Sequence, residues 1–314
     1  MAPADRFLNE ATRKMLARVA RASMPPLHQL PLAQARASYV LGVGAMEGER
    51  VPVPRVDNFT IPGPAGGIPA RLWAPSADPG LPVLLYLHGG GFVVGGIDTC
   101  EGMCRRIAQQ SGAAVVAIDY RLAPEHPFPA GLDDAFAALQ WLAANAVSLG
   151  LDPARLAVGG DSAGGTLGAS VALMARDVGL SLALQVLFYP SVEPSVVTES
   201  YRLFSKDLML DDDLMRWFEA QARGPGFQSD WRREPMLAAS HQGLAPAWIG
   251  LAECDALTDE GRKYAEVLRQ AGVPVELVVW PGVIHDFINM GRFVPEAFQA
   301  HAAVAQALKQ AFGG

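Results

Sequence analysis

Cysteine is scarce in this sequence: Cys100, Cys104 and Cys254 are the only three in 314 residues. An odd, small number of thiols in so long a chain does not support a disulfide framework. Cys100 and Cys104 stand four apart on a predicted helix, and no histidine lies near them in the sequence. The pair therefore predicts buried, reduced thiols and not a zinc site.

Basic clusters and long apolar runs are missing as well. The formal net charge is −7 and the positive charges form no cluster, which argues against nucleic acid as a partner. No run of about 18 apolar residues occurs, so no membrane span is expected. The N-terminal stretch MAPADRFLNEATRKMLARVARA lacks the apolar core of a signal peptide, and we expect a cytoplasmic protein.

Runs of strand length and helical runs alternate through most of the chain. Several of the strands are apolar throughout, as is typical of a parallel sheet with helices on both faces. The pattern predicts one α/β domain spanning residues 1–314, with an antiparallel hairpin formed by 56–61 and 68–75 at its leading edge. The predicted strands are 81–87, 113–120, 155–158, 182–189, 245–252 and 273–280, and the predicted helices are 101–110, 133–145, 166–178, 259–270 and 295–312.

Two segments interrupt this alternation. Residues 1 to about 45 are helical and precede the first strand, and residues 191 to about 235 carry a further predicted helix. Insertions at the carboxyl edge of an open sheet tend to become lids, so we expect the two segments to form a helical cap. The alternative is that they lie remote from the site.

The stretch GGDSAGG places Ser162 between a predicted strand and a predicted helix. A chain that turns this sharply needs little side chain two positions either side, and Gly160 and Gly164 provide that. The Gly-x-Ser-x-Gly turn would hold the hydroxyl at the carboxyl edge of the sheet. A glycine-rich connecting loop is the alternative, and a phosphate-binding loop fits less well because no Gly-Lys-Ser/Thr follows.

A serine hydroxyl needs a base to become a nucleophile at neutral pH. Among six histidines, His285 stands in a loop just after a late predicted strand, and Asp255 stands similarly after the preceding strand. The order Ser162, Asp255, His285 along the chain matches a catalytic triad on an α/β-hydrolase scaffold. Attack would also create an oxyanion, and the loop Gly89, Gly90, Gly91 with the N–H of Ala163 offers donors for it. An ordinary mobile turn is the alternative for these glycines.

Five motifs then resemble one family in content and order. They are HGGGF at 88–92, DYRLAPEHPFPAGLDD at 119–134, GDSAGG at 160–165, CDALTDEG at 254–261 and GVIHDF at 282–287. They span most of the chain from about residue 80 onward. The sequence resembles bacterial carboxylesterases of the hormone-sensitive-lipase family, which have the α/β-hydrolase fold.

The resemblance implies Ser162 as nucleophile, His285 as base and Asp255 as the acid that orients it. It also implies oxyanion contacts from the Gly89–Gly91 loop and Ala163, with Asp161 and the loop of Arg121 and Glu125 as supports. From its place in the sequence, His88 itself is expected to fix the glycine loop by hydrogen bonds and not to take part in the chemistry. Three residues depart from the family pattern: Phe92 where tryptophan is frequent, Ala256 where proline is usual, and Asp286 where glycine is common. Asp286 adds a carboxylate beside the base, which would raise the pKa of His285 or narrow the site.

These observations together predict a serine carboxylesterase that hydrolyses short- to medium-chain acyl esters through an acyl-enzyme on Ser162. No metal or organic cofactor is implied. The expected partner is a small-molecule ester, and a homodimer is left open. An amidase or a lipase on the same fold is the alternative within the enzymes, and a non-catalytic binding protein of this fold is the alternative outside them.

Overall fold

The central sheet is the frame of the molecule. The computed structural model describes residues 6–224 and 226–314, and within them the strand order is β1-β2-β4-β3-β5-β6-β7-β8. β2 pairs antiparallel with β1 and with β4, and every other pairing is parallel. The predicted α/β-hydrolase architecture is confirmed. The strands are β1 Arg55–Gly63, β2 Gly66–Ala74, β3 Leu81–Leu87, β4 Ala114–Ile118, β5 Leu151–Asp161, β6 Leu184–Phe188, β7 Ala247–Cys254 and β8 Val275–Ile284.

The helices cover both faces of this sheet, as the apolar strands predict. None in the described part of the chain is long and apolar enough to cross a membrane. The helices are α1 Glu10–Ala22, α2 Leu32–Met46, α3 Ile97–Ser111, α4 Ala130–Asn145, α5 Ala163–Asp177, α6 Glu199–Phe204, α7 Asp212–Arg223, α8 Thr258–Gln270 and α9 Glu296–Ala311.

Some helices begin earlier than their sequence pattern predicts. α3 begins at Ile97 because the Asp119 carboxylate accepts a hydrogen bond from the Ile97 N–H at 2.7 Å. Asp119 lies beyond the next strand, so no local pattern reveals this contact. α5 begins directly after Ser162 instead of at Thr166.

The core lies on both sides of the inner strands. Leu84 of β3, Val115 of β4 and Val158 of β5 are all fully buried. Cys100 and Cys104 on α3 are buried free thiols, as predicted. The hairpin of β1 and β2 also follows the prediction, with its register running from Arg55 opposite Ala74 to Gly63 opposite Gly66.

The two segments expected to form a cap supply α1 and α2, and α6 and α7. Residues 1–5 and 225 of these segments lie outside the described residues. Leu32 and Tyr39 of α2 and Phe218 of α7 pack against one small cluster that includes Val93 and Val94 in the loop after β3.

Arg36 anchors α2 to the same loop. Its Nε donates to the Val93 carbonyl at 2.9 Å, and its Nη2 donates to the Ala123 carbonyl at 3.0 Å. Both terminal nitrogens also pair with the Glu125 carboxylate at 2.8 and 2.7 Å. The first segment is thus tied to the loop that follows β3.

The turn from β5 into α5 lies against the end of β3 with almost no space between the two backbones. A Cβ on Gly164 would come within 1.9 Å of the Leu87 carbonyl oxygen, and a Cβ on Gly160 within 2.2 Å of the same atom. Both distances are far below van der Waals contact, so only glycine allows this approach.

We expect Gly164→Ala to lower the free energy of unfolding by about 3 kcal/mol or more, because the methyl group would force the two backbones apart. Gly42→Ala is the matched control, since a Cβ at that position in α2 meets nothing within 4 Å. It should raise stability by about 0.5–1 kcal/mol through helix propensity. Urea denaturation of both variants measures the difference, and equal midpoints would contradict the close packing.

Candidate active site

Ser162 stands at the point where β5 turns into α5. Its backbone angles are φ 54° and ψ −119°, and its N–H donates to the Phe188 carbonyl of β6 at 2.9 Å. A non-glycine residue held at such angles costs about 1–3 kcal/mol, which the surrounding contacts must offset. The turn holds the Ser162 side chain, half-buried, at the carboxyl edge of the sheet.

The structure brings His285 and Asp255 to this serine. His285 follows the last residue of β8 and Asp255 follows the last residue of β7. The His285 Nε2 lies 2.9 Å from the Ser162 Oγ, and its Nδ1 lies 2.7 Å from the Asp255 Oδ2. The other carboxylate oxygen of Asp255 accepts the Leu257 N–H at 3.0 Å. With a proton on Nδ1, the imidazole can accept the serine proton at Nε2.

Buried carboxylates control the charge of the imidazole. Burial alone lowers the pKa of His285, but the adjacent Asp255 carboxylate opposes it, and Asp286 and Asp161 add to that opposition. The balance leaves the pKa of His285 above its ordinary value. The imidazolium that forms during proton transfer is therefore stabilised by its surroundings.

Asp286 has an unusual backbone for an aspartate, with φ at 67°. Its side chain accepts a hydrogen bond from Asn289 Nδ2 at 2.6 Å. Burial raises the pKa of Asp286 to about 6, although the neighbouring His285 lowers it. This carboxyl group therefore becomes protonated at a higher pH than an ordinary aspartate does.

The glycine loop after β3 is held by a buried carboxylate. The Gly89 N–H donates to the Asp161 Oδ1 at 3.0 Å, and the Tyr86 hydroxyl donates to the same oxygen at 2.6 Å. Burial, with help from the Asp286 charge, raises the pKa of Asp161 to about 7 despite these two donors. The N–H of Gly89 is thus occupied, while Gly91 and Ala163 line the pocket beside Ser162.

His88 and Tyr120 support this loop from behind, as the sequence indicates for His88. The two rings stack with their centroids 4.3 Å apart, and the Tyr120 hydroxyl donates to the His88 carbonyl at 2.7 Å. The His88 Nδ1 lies 2.7 Å from the Gly89 carbonyl oxygen. Arg121, on the neighbouring loop, pairs with Asp134 through Nε and Nη2, both at 2.8 Å.

A pocket of about 300 Å³ opens on Ser162. Ser162, Gly91 and Ala163 lie on its wall together with Tyr201 of α6 and Met215 and Phe218 of α7. None of the described residues 6–45 is part of this wall. The second segment expected to form a cap therefore lines the pocket, and the first packs behind the loop that follows β3.

The acids near Asp255 have separate tasks. The Glu253 carboxylate accepts the Gly282 N–H at 2.8 Å, at the edge strand. Thr258 is the first residue of α8, and its hydroxyl donates to the Ala252 carbonyl at 2.5 Å.

Asp259 and Glu260, in the first turn of α8, form hydrogen bonds with the segment after β6. Asp259 accepts the Ser200 N–H at 2.8 Å, and Glu260 accepts the N–H groups of Val192 and Glu193 at 3.2 and 2.6 Å. Sequence spacing gives no sign of these tertiary contacts.

Within residues 6–224 and 226–314, no group of three or more histidine, cysteine, aspartate or glutamate side chains is placed to hold a metal ion. The arrangement around Ser162 places a hydroxyl, an imidazole and a carboxylate in one hydrogen-bonded series, a set of groups that can support acyl transfer.

Known proteins are similar to this chain in sequence and in fold. Residues 84–289 match the model of a family described as having the α/β-hydrolase fold. The carboxylesterase NlhH of Mycobacterium tuberculosis is 45% identical over 251 residues, which is 78% of each chain. The ethyl acetate hydrolase of Pseudomonas putida is 39% identical over 292 residues, or 91% of this chain and 92% of the relative.

Solved structures agree. An ester hydrolase from the metagenome of Lake Arreo, complexed with a bipyridine phosphonate derivative, superimposes with a TM-score of 0.94 at 40% identity, over 98% of this chain and all of the other. The hyperthermophilic esterase of the archaeon Pyrobaculum calidifontis gives 0.91 at 39% identity, over 96% of this chain and 98% of that one. The chain belongs to the α/β-hydrolase family, in the branch of bacterial carboxylesterases that resemble hormone-sensitive lipase.

Proposed function

We propose that this carboxylic ester hydrolase cleaves small esters of short- and medium-chain acids through an acyl-enzyme on Ser162. The observation that carries the proposal is the continuous hydrogen-bonded series from Ser162 Oγ through the His285 imidazole to Asp255, at 2.9 and 2.7 Å. Its serine end opens into a pocket of about 300 Å³, a size suited to small ligands.

In the first half of the reaction, His285 Nε2 takes the proton of Ser162 as its oxygen attacks the ester carbonyl. Negative charge then develops on the carbonyl oxygen, and backbone N–H groups must already be aimed at it. We assign this task to Gly90, Gly91 and Ala163. Gly89 has the different task of fixing the loop, since its N–H is donated to Asp161.

To complete this half, the protonated imidazole gives its proton to the leaving alcohol as the bond from the carbonyl carbon to the alcohol oxygen breaks, and the acyl group stays on Ser162. In the second half, water attacks the acyl-enzyme with His285 again as base, and the imidazolium returns the proton to Ser162 Oγ as the acid departs. The leaving group must therefore lie at the Nε2 of His285. The described wall of the large pocket includes Gly91 and Ala163 but not His285. We assign this pocket to the acyl chain.

We further propose that residues 1–45 and 191–235 act as a cap within a single domain. Phe218 of α7 supports this, since a Cβ on Gly91 would lie only 2.2 Å from its ring. The second segment thus reaches the glycine loop itself. α2 supports the same loop through Arg36.

The alternatives find less support. A lipase would favour a broad apolar surface around the mouth, and among the residues that line the pocket only Val196 is a large apolar side chain classed as exposed, at 44%. A binding protein without turnover has no need of a base in hydrogen-bond contact with a strained serine. An amidase shares the machinery, and an amide substrate distinguishes it.

Ser162→Ala should abolish ester turnover and labelling by a fluorophosphonate while the fold persists. Losing the nucleophile of such a triad costs on the order of 10⁶ in kcat. A series of 4-nitrophenyl acyl esters and matching anilides, run on both proteins beside the label, provides the measurement. Undiminished labelling of the variant, or anilides cleaved faster than esters, would oppose the proposal.

Asp255→Asn should lower kcat by up to about 10⁴ with little change in stability, because the amide favours the wrong imidazole tautomer. Asp259→Asn is the matched control, because Asp259 lies four residues after Asp255. The side-chain oxygen of the asparagine can still accept the Ser200 N–H. We expect near-normal turnover from it. The reverse order of activities would remove Asp255 from the triad.

The acid limb of kcat/KM should lie above the ordinary histidine value of about 6.5. Neutral imidazole is the active form, so activity falls as the pH drops through the raised pKa of His285. Asp286→Asn removes one carboxylate that raises this pKa, so its acid limb should move to lower pH. Asn keeps the side-chain shape and tolerates a positive φ. Superimposable pH profiles would show that Asp286 has no influence on the base.

A further inference from the structure

Arg233 is a cation buried beside the acyl pocket with hydrogen-bond donors left over. Its side chain is only 3% exposed, and one terminal nitrogen, Nη2, pairs with the Glu219 carboxylate of α7. Its Nε and Nη1 have no hydrogen-bond partner among the described residues. Buried donors without partners are rare and costly in proteins, so this pair calls for an acceptor.

Arg233 lies on the wall of the pocket that opens on Ser162. Its guanidinium lies 4.5 Å from the centroid of the ring of Phe92, the residue that follows the glycine loop. A ring over the flat face of a guanidinium leaves the N–H groups at its edge. Arg233, Phe92 and Ser162 all lie on the wall of the pocket that opens on the nucleophile.

The pocket wall carries more guanidinium groups than carboxyl groups, although Arg216 is paired with Asp212 and Arg223 also lies 3.7 Å from Glu234. Three cations lie on it, Arg216, Arg223 and Arg233, and two carboxyl groups, Glu219 and Glu260. Arg223 Nε pairs with Glu219 at 2.8 Å, so the one Glu219 carboxylate serves two guanidinium groups. Burial raises the pKa of Glu260 to about 8, which keeps this second carboxyl group largely protonated at neutral pH.

A purely structural task for Arg233 is the competing explanation. Its contacts with Glu219 and Phe92 connect α7 to the residue after the glycine loop. Arg233 also lines a second cavity of about 20 Å³, which has room for about one water molecule. One water can accept only part of what Nε and Nη1 offer, since these two atoms carry three N–H bonds.

We propose that Arg233 is a specificity-determining residue that binds an oxygen acceptor at the far end of the acyl chain. The substrate class it selects is esters of keto acids and half esters of dicarboxylic acids, in preference to esters of plain alkanoic acids. The inference rests on the proposed function, because it needs the acyl chain to lie in this pocket.

Three ethyl esters of equal acyl length test the selection: ethyl hexanoate, ethyl 5-oxohexanoate and monoethyl adipate. Release of the acids is followed by chromatography. We expect kcat/KM of the wild-type protein to be about tenfold or more higher for the two oxygen-bearing esters. The preference should reside mainly in KM, since the distal contact is present in ground state and transition state alike. Comparable values for all three would overturn the proposal.

Arg233→Met should erase this preference: within this variant, kcat/KM for the two oxygen-bearing esters should fall relative to kcat/KM for ethyl hexanoate until the ratio is near one. Arg216→Met is the matched control, because Arg216 lies on the same wall with a side chain 75% exposed and paired with Asp212. The preference should persist in it. Equal loss in both variants, or an equal fall for all three esters in Arg233→Met, would overturn the assignment.

Two milder variants keep the test decisive if Arg233→Met does not fold. Arg233→Lys retains the charge but loses the planar fork, so the preference should shrink without vanishing. Glu219→Gln removes the negative charge that Arg233 shares, so the preference for monoethyl adipate should grow; an unchanged ratio contradicts the proposal.

Turnover of 4-nitrophenyl acetate, whose acyl group is too short to reach a distal donor, separates the proposed esterase function from the proposed selectivity of Arg233. Its absence in the wild-type protein would overturn the proposed function and this inference together.

Discussion

The backbone contact between the nucleophile turn and the carboxyl end of β3 places the two halves of the site side by side. Gly164 approaches the Leu87 carbonyl so closely that no side chain fits between them. Residue 88 begins the glycine loop, so this one contact sets the distance between the serine and the backbone donors of that loop. A second link reinforces it, because the Asp161 carboxylate next to Ser162 takes the Gly89 N–H.

Charge around the base is a compromise between burial and neighbouring carboxylates. Burial of His285 favours the neutral imidazole that catalysis begins with. Asp255, Asp286 and Asp161 favour the imidazolium that forms next. Burial also disfavours the charged form of the carboxyl groups, and it raises the pKa of Asp161 to about 7. The site can therefore host a transient positive charge without a permanent ion pair at every acid.

Residues at strand ends could be predicted because their position follows from chain order. Parallel strands end at one edge of the sheet, so Asp255 after β7 and His285 after β8 had to lie near Ser162. The order of motifs along the chain supplied the rest of the prediction. None of this required knowledge of how the side chains pack.

Contacts between distant segments could not be predicted in this way. The hydrogen bond from Gly89 to Asp161, the cap of α3 by Asp119, and the reach of Glu260 to Val192 and Glu193 all depend on tertiary approach. The sequence pattern gives no partner for Asp119 or Glu260, and for Asp161 the family resemblance implies only a supporting role. Arg233 was missed for the same reason, since in sequence WRREP is indistinguishable from a solvated charge pair.

The first turn of α8 has two structural roles, because it follows Asp255 closely in the chain and also forms hydrogen bonds with the segment after β6. Asp259 and Glu260 bind backbone N–H groups of residues 192, 193 and 200, only a few positions beyond Asp255. An exchange of residues 191–235 for the corresponding segment of a relative would thus leave two carboxyl groups facing a foreign backbone. An exchange that keeps these hydrogen bonds would transfer the first turn of α8 together with residues 191–235. The residues that line the pocket and those that follow Asp255 would then be inherited together.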